Sequence, residues 1–328
     1  MIHLTFAEAI IVGLIQGTTE LFPVSSLGHN VQIPAIVGGN WATDLNVSKP
    51  ESPYLAFIVG LHVATAIGIT VYFWRDWIRI VRGFFTSIAR WEVKNPDQKL
   101  AWMIVIATIP VGLVGLVFEH KFRVIFAVPS RAAIFLVVNG VILYAGERFR
   151  TRKSREADEQ VQREREEEPA LVGARVGGAH SSGQRALRQQ EITTAVQADR
   201  RITSFSFWQA LLIGSAQILA LLAGISRDGV TMVAGMFRGL SREDAARFAF
   251  LLATPVILAA GVLKIPDLLG PLGNGIRPQI LAGSIVSGVA AYLSVRFLMK
   301  YFQTRTLTPF AIYCLAAGLA SFIYLTVK

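Results

Sequence analysis

The chain has 328 residues, of which 53% are hydrophobic and only 16% charged, and its mean hydropathy is +0.49. That balance is too apolar and too sparsely charged for an ordinary soluble domain, and it implies a polytopic membrane protein. The net charge of +10 does not point to nucleic acid, because most basic residues sit in connectors between apolar runs, as the positive-inside rule produces. The single cysteine, Cys314, excludes an internal disulfide and a thiolate metal cluster.

The opening MIHLTFAEAI has no basic stretch before its apolar run and no evident cleavage site, so no removable signal peptide is expected. Residues 4–15 form an apolar run shorter than the roughly 20 residues a spanning helix needs. It leads into QGTTELFPVSSLGH, Gln16 to His29, which gathers an amide, a carboxylate, hydroxyls and an imidazole around Pro23 and Gly28. Polar groups at membrane depth are expensive and mark a site. The pattern predicts a re-entrant segment: a half-helix in, a break near Phe22–Pro23, and a returning half-helix from Ser25 or Ser26, since Ser is a preferred N-cap. Residues 38–53 read as an exposed loop.

Full spans are expected at about 54–74, 101–119 and 129–147, the first two joined by a connector carrying Arg75, Arg79, Arg82, Arg90, Lys94 and Lys99. Residues 147–204 are hydrophilic with alternating charge, as in REREEEPA, and read as a solvated loop without chemistry; His180 within it reads as a surface histidine. The apolar pattern resumes at 205–223, reaches a second break at AGISRDGVT, and ends in spans at about 245–264, 278–299 and 309–327.

The two breaks align without gaps at an offset of 201: Phe6 with Phe207, Gly13 with Gly214, Gln16 with Gln217, Ser25 with Ser226 and Gly28 with Gly229. A re-entrant segment plus three spans, twice over, makes the second repeat inverted relative to the first, with the two tips meeting near the midplane. The expected fold is therefore an all-α polytopic membrane protein built as an inverted-topology repeat. It forms one integral membrane domain, with repeat 1 at about 4–147, a hydrophilic loop at about 148–204 and repeat 2 at about 205–328. Charge predicts a cytoplasmic loop and connector, with both termini and the first tip outside.

Gln16 and Glu20 are four apart and share a helix face, so Glu20, with Gln16 beside it, is a candidate holder of a hydrated divalent cation. Ser25, Ser26 and His29 fall at the start of the returning half-helix, whose free N–H groups favour an anion. A serine there is a candidate nucleophile, Ser26 before Ser25, with His29 or Glu20 as base. In the second break Arg227 offers a fork-shaped donor set suited to phosphate, beside Ser226, Thr231 and the glycines Gly224 and Gly229. Arg227 could instead pair with Asp228. The set suits phosphoryl transfer, where positioning and charge neutralisation supply most of the catalysis.

QGTTELFPVSSLGH resembles the E/Q-G-x-T-E-F-L-P-x-S-S-x-G-H motif of the bacterial undecaprenyl-diphosphatase, or bacitracin-resistance, family, and AGISRDGVT resembles its P-G-x-S-R-S-G-x-T motif. The order of spans and the closing TPFAIY stretch agree, with 147–204 as an insertion. The resemblance implies an inner-membrane phosphatase that converts undecaprenyl diphosphate to the monophosphate with a divalent cation, Mg2+ or Ca2+, at an outward-facing site. It also implies the lipid as partner; a second copy of the chain is a further candidate partner. By position it implies functional roles for Glu20, Ser25, Ser26, His29, Ser226, Arg227 and Thr231. Gln16 stands where many members have Glu, Ala223 where they have Pro, and Asp228 where they have Ser; Asp228 could compete for Arg227 or supply a metal ligand. His62, in an apolar span, is a further candidate for the same cavity. The alternative reading is a polyprenyl-phosphate transporter, which inverted repeats also support.

Overall fold

The computed structural model describes residues 4–46, 53–126, 128–167, 196–270 and 273–327. Among the described residues every regular element is helical. The first tip is α1 (Phe6–Thr19) and α2 (Ser26–Val37), followed by the short α3 (Gly39–Asp44). Then come α4 (Pro53–Tyr72), α5 (Trp74–Arg90), α6 (Pro96–Phe126) and α7 (Pro129–Glu167). A short α8 (Val196–Ile202) precedes the second tip, formed by α9 (Phe207–Ser215), a 3-10 turn at Ala216–Leu221 and α10 (Arg227–Phe237). The chain closes with α11 (Arg242–Leu269), α12 (Arg277–Thr304) and α13 (Thr308–Val327).

Among the described residues, α6, α7, α11, α12 and α13 each contain a stretch long and apolar enough to cross a membrane, and the count rises to seven if each bent pair is one span. The bent pairs are α4 with α5, at 89°, and α8 with α9 and its 3-10 turn, at 90°. The protein is thus an all-helical, multi-span membrane protein. At 205–223 no single α-helix runs through: the nine residues of α9 cover only about 14 Å before the helix tightens at Ala216–Leu221 and breaks.

Both tips begin with the same cap. Thr5 and Ser206, 201 apart, each form a capping box, with Glu8 and Gln209 respectively. Both returning helices also start in register, α2 at Ser26 under the Ser25 cap and α10 at Arg227 under the Ser226 cap. Each outgoing half-helix packs on a span of the other repeat, α1 on α12 and α9 on α6. The reason is a matched pair of glycines: a Cβ on Gly13 would overlap the Gly283 carbonyl oxygen, and one on Gly214 would overlap that of Ala107. Without side chains there, backbones approach as closely as small-residue membrane interfaces allow.

The hydrophilic segment differs from its expectation at both flanks. Helix α7 continues to Glu167, and α8 docks through Asp199, which is buried. Asp199 accepts from Arg247 Nε at 2.9 Å and Arg79 Nη2 at 2.7 Å, while Asp76 and Asp97 close the network on the same two arginines. Burial opposes ionisation of Asp76, but Arg247 and Arg79 overcome it and hold this carboxyl below the usual carboxylate range. Alternating charge read as solvated therefore contains one buried anchor, because a cationic pair on α5 and α11 awaits it. Residues 168–195, with His180, lie outside the described residues. In the 38–53 loop, α3 forms and Leu45 is buried, while 47–52 lie outside the described residues.

Candidate active site

The first tip breaks where its sequence predicts. Glu20 ends α1 with its backbone N–H on Gln16 O, the chain turns through Leu21–Val24, and Ser25 caps α2. Ser25 adopts φ 67°, a left-handed conformation that costs a non-glycine residue free energy and persists only where its surroundings hold it. They do: its Oγ accepts from Gly28 N and from Gly224 N, both at 3.2 Å, and its carbonyl accepts from His29 Nδ1 at 2.7 Å. Gly224 belongs to the second tip and has φ 112°, so the two breaks are bonded to each other through this hydroxyl.

Asn139 of α7 joins them a second time. Fully buried, it donates from Nδ2 to Pro23 O at 2.9 Å and accepts at Oδ1 from Ser226 N at 3.0 Å. One amide thus satisfies a backbone group freed by each break, which lipid could not do. An Asn in the middle of an apolar span was the signal for it, by the same rule that singled out Glu20.

The side chains of the two tips converge on one carboxylate. Arg227 Nη2 donates to Glu20 Oε1 at 2.5 Å. Glu20 Oε2 accepts from Ser26 Oγ, from Gln16 Nε2 at 2.8 Å, and lies 3.3 Å from His62 Nε2. Ser26 and Arg227 are the same position of the two repeats, the first residue of the returning helix, since 26 plus 201 is 227. A charge-assisted bond from each repeat therefore meets at a single acid. A cavity of about 160 Å3 opens there, lined by Glu20, Ser25, Ser26, His62, Ser226 and Arg227 together with apolar residues and Gln217.

Other candidates sit nearby in different roles. His29 is placed away from the cavity wall: its Nδ1 donates to Ser25 O and its Nε2 accepts from Tyr313 OH at 2.7 Å, with the two rings stacked. His62 holds the ring position beside Glu20, its Nδ1 donating to Ile58 O at 2.8 Å. Ser226 Oγ accepts from Gly229 N, and Thr231 Oγ1 donates to Arg227 O, so both serve the backbone of α10. Asp228 is buried with both carboxylate oxygens lacking a hydrogen bond among the described residues, and it stands 3.8 Å from Arg227 Nε. Arg227 thus bonds Glu20 across the repeats in preference to its chain neighbour.

Gln16 bonds Glu20 through its nitrogen and accepts from Asn30 Nδ2 at 2.6 Å through its oxygen, so it steadies the carboxylate. Among the described residues no cluster of three or more His, Cys, Asp or Glu side chains could hold a metal by itself. A divalent cation that keeps waters and phosphate oxygens as its other ligands would meet one cavity-wall carboxylate, Glu20, which here accepts from Arg227, Ser26 and Gln16.

Comparison with known proteins finds relatives along nearly the whole chain. The chain is 57% identical to the undecaprenyl-diphosphatase of Mycolicibacterium paratuberculosis, over 99% of each chain. It is 51% identical to undecaprenyl-diphosphatase 2 of Frankia alni, over 97% of each, and 37% identical to undecaprenyl-diphosphatase 2 of Burkholderia ambifaria, over 94% of this chain and 93% of that one. The family described as bacitracin resistance protein BacA matches residues 9–320, both tips and all the spans between them, and the chain belongs to that family.

Proposed function

We propose that the protein is a membrane phosphatase that hydrolyses undecaprenyl diphosphate to undecaprenyl phosphate and inorganic phosphate. The observation that carries the reading is the convergence of Ser26 and Arg227, one from each tip, on Glu20 in a cavity wall. Relatives at 57% and 51% identity over nearly the whole chain carry the name of this activity. A carrier reading rests on repeat topology alone, and none of the relatives named above is called a transporter.

The diphosphate brings negative charge to a site whose arginine, Arg227, is paired with Glu20. Arg227 exchanges Glu20 for phosphate oxygens, which match its planar fork, and so releases the carboxylate. Glu20, already the acceptor of the Ser26 hydroxyl proton, takes that proton as Oγ attacks the terminal phosphorus. The bond to the bridging oxygen breaks, the lipid monophosphate leaves, and water cleaves the phosphoserine, returning the proton to Ser26 and freeing phosphate. A bound Mg2+ or Ca2+ would neutralise phosphate charge, held by Glu20 on the protein side. Gln16 steadies Glu20, and His29 holds the Ser25 carbonyl that precedes the nucleophile. Gly229 and Thr231 keep α10, and with it Arg227, in place.

The two tips entering from opposite faces, as an inverted repeat, would bring both to the midplane of the bacterial inner membrane. The basic connector and the flanks of the long segment face the cytoplasm by charge, and the termini face outward. The experiment is phosphate release from undecaprenyl diphosphate by the purified chain in detergent, where no leaflets exist. Turnover is expected; absence of release, with lipid phosphate still bound, would overturn the phosphatase in favour of the carrier.

A further inference from the structure

Helix α5 is bent 89° from the end of α4, so with α4 crossing the bilayer α5 runs along its surface. Its 17 residues sort into three arcs. One edge, Ile80, Gly83 and Ser87, is buried on α6, where Ser87 Oγ accepts from Trp102 Nε1 at 2.8 Å. A second arc is apolar and outward: Trp74, Ile78, Val81, Phe85 and Ile88, between 43% and 63% exposed. Their spacing of three, four and seven residues keeps them on one side of the helix. The third arc carries Arg75, Arg82 and Arg90, seven or eight residues apart and so above one another.

Neither water nor a bilayer core suits this helix. Water would leave five large apolar side chains exposed in one stripe, and hydrocarbon would bury three permanent charges. The boundary between acyl chains and headgroups satisfies both. Among the described residues Arg82 and Arg90 meet no carboxylate, and Arg75 lies over the Trp74 ring at 5.1 Å. Arg79, by contrast, is fully engaged with Asp76, Asp97 and Asp199, and anchors the helix from behind.

We propose that α5 is an interfacial helix and that Arg75, Arg82 and Arg90 form a selective site for anionic phospholipid headgroups. Guanidinium forks match phosphodiester oxygens, and a negative headgroup layer supplies the charge that these three lack among the described residues. The partner is thus the lipid surface itself, and the site is separate from the cavity at Glu20.

The full chain reconstituted in phosphatidylcholine tests this in two ways. Spin-labelled phosphatidylglycerol should associate in preference to spin-labelled phosphatidylcholine, the preference falling roughly fivefold for each arginine replaced in R75Q, R82Q and R90Q. Nitroxides attached at Ile78→Cys and Phe85→Cys should be relaxed by oxygen and protected from an aqueous nickel complex, with Arg82→Cys showing the reverse. An unchanged lipid preference in the triple variant would overturn the headgroup site. Equal aqueous access at 78, 85 and 82 would overturn the interfacial placement, as would shielding of 78 and 85 from both reagents, which would mean that another protein or a second copy covers the arc.

Discussion

The two tips share a scaffold and differ in chemistry. Both begin with a capping box, both break after an apolar half-helix, and both resume under a serine whose Oγ accepts from a glycine N–H three residues on. Yet where the first has Glu20 the second has Leu221, and where the first has Ser26 the second has Arg227. Gln16 finds Glu20 and Asn30, whereas its counterpart Gln217 has a leucine and Thr231 at those positions, and its Oε1 is without a hydrogen bond among the described residues. The repeat supplied two equivalent breaks, and the site arises from the differences between them: acid and hydroxyl from one, cation from the other.

Substitutions that erase that difference should have the largest effects. Arg227→Ala removes the cation of the second tip, and phosphate release should fall by about 10³-fold or more, the scale of losing an arginine that neutralises transferring phosphate. Asn139→Leu leaves both tips intact but removes one of the links between them, orphaning Pro23 O and Ser226 N. It should lower kcat by about 10²-fold through misplacement, and stability by about 1–3 kcal/mol, read by thermal unfolding in detergent. Gly13→Ala and Gly214→Ala test the symmetry itself: each drives a methyl into a carbonyl of the other repeat, and each should cost about 1–3 kcal/mol, by similar amounts. The smallest effect lies far from the tips. Asp76 has a lowered folded-state pKa, so its stabilising contribution is complete at neutral pH and is lost as pH falls through that value, below the ordinary carboxylate range. Asp76→Asn should flatten the acid limb of the unfolding profile in wild-type comparison and leave neutral-pH turnover nearly unchanged.

Much of this was legible because membranes make polar residues conspicuous. Pro23, Gly28 and the Ser25–Ser26 pair located the first break and AGISRDGVT the second, and Gln, Gly and Ser in step at an offset of 201 pointed to a repeat. Register alone could not say that Arg227 would bond Glu20 in preference to adjacent Asp228, because that choice depends on how the tips meet. His29 was the nearer histidine in sequence, but a helical turn aims its ring at Tyr313 on α13, 284 residues away, while His62 arrives from α4. Asp199 was hidden for the opposite reason: among many charges in a hydrophilic segment, nothing local marks the one that Arg247 and Arg79 bury.

The central claim, that Glu20 and Arg227 act as one unit across the repeats, is tested most directly by phosphate release from undecaprenyl diphosphate by Glu20→Gln, Arg227→Ala and the double variant. Residues acting as a unit are non-additive, so each single variant should lose about 10³-fold or more in kcat, and the double should be no slower than the worse single. Undiminished turnover in either single variant, or losses that multiply in the double, would contradict the account.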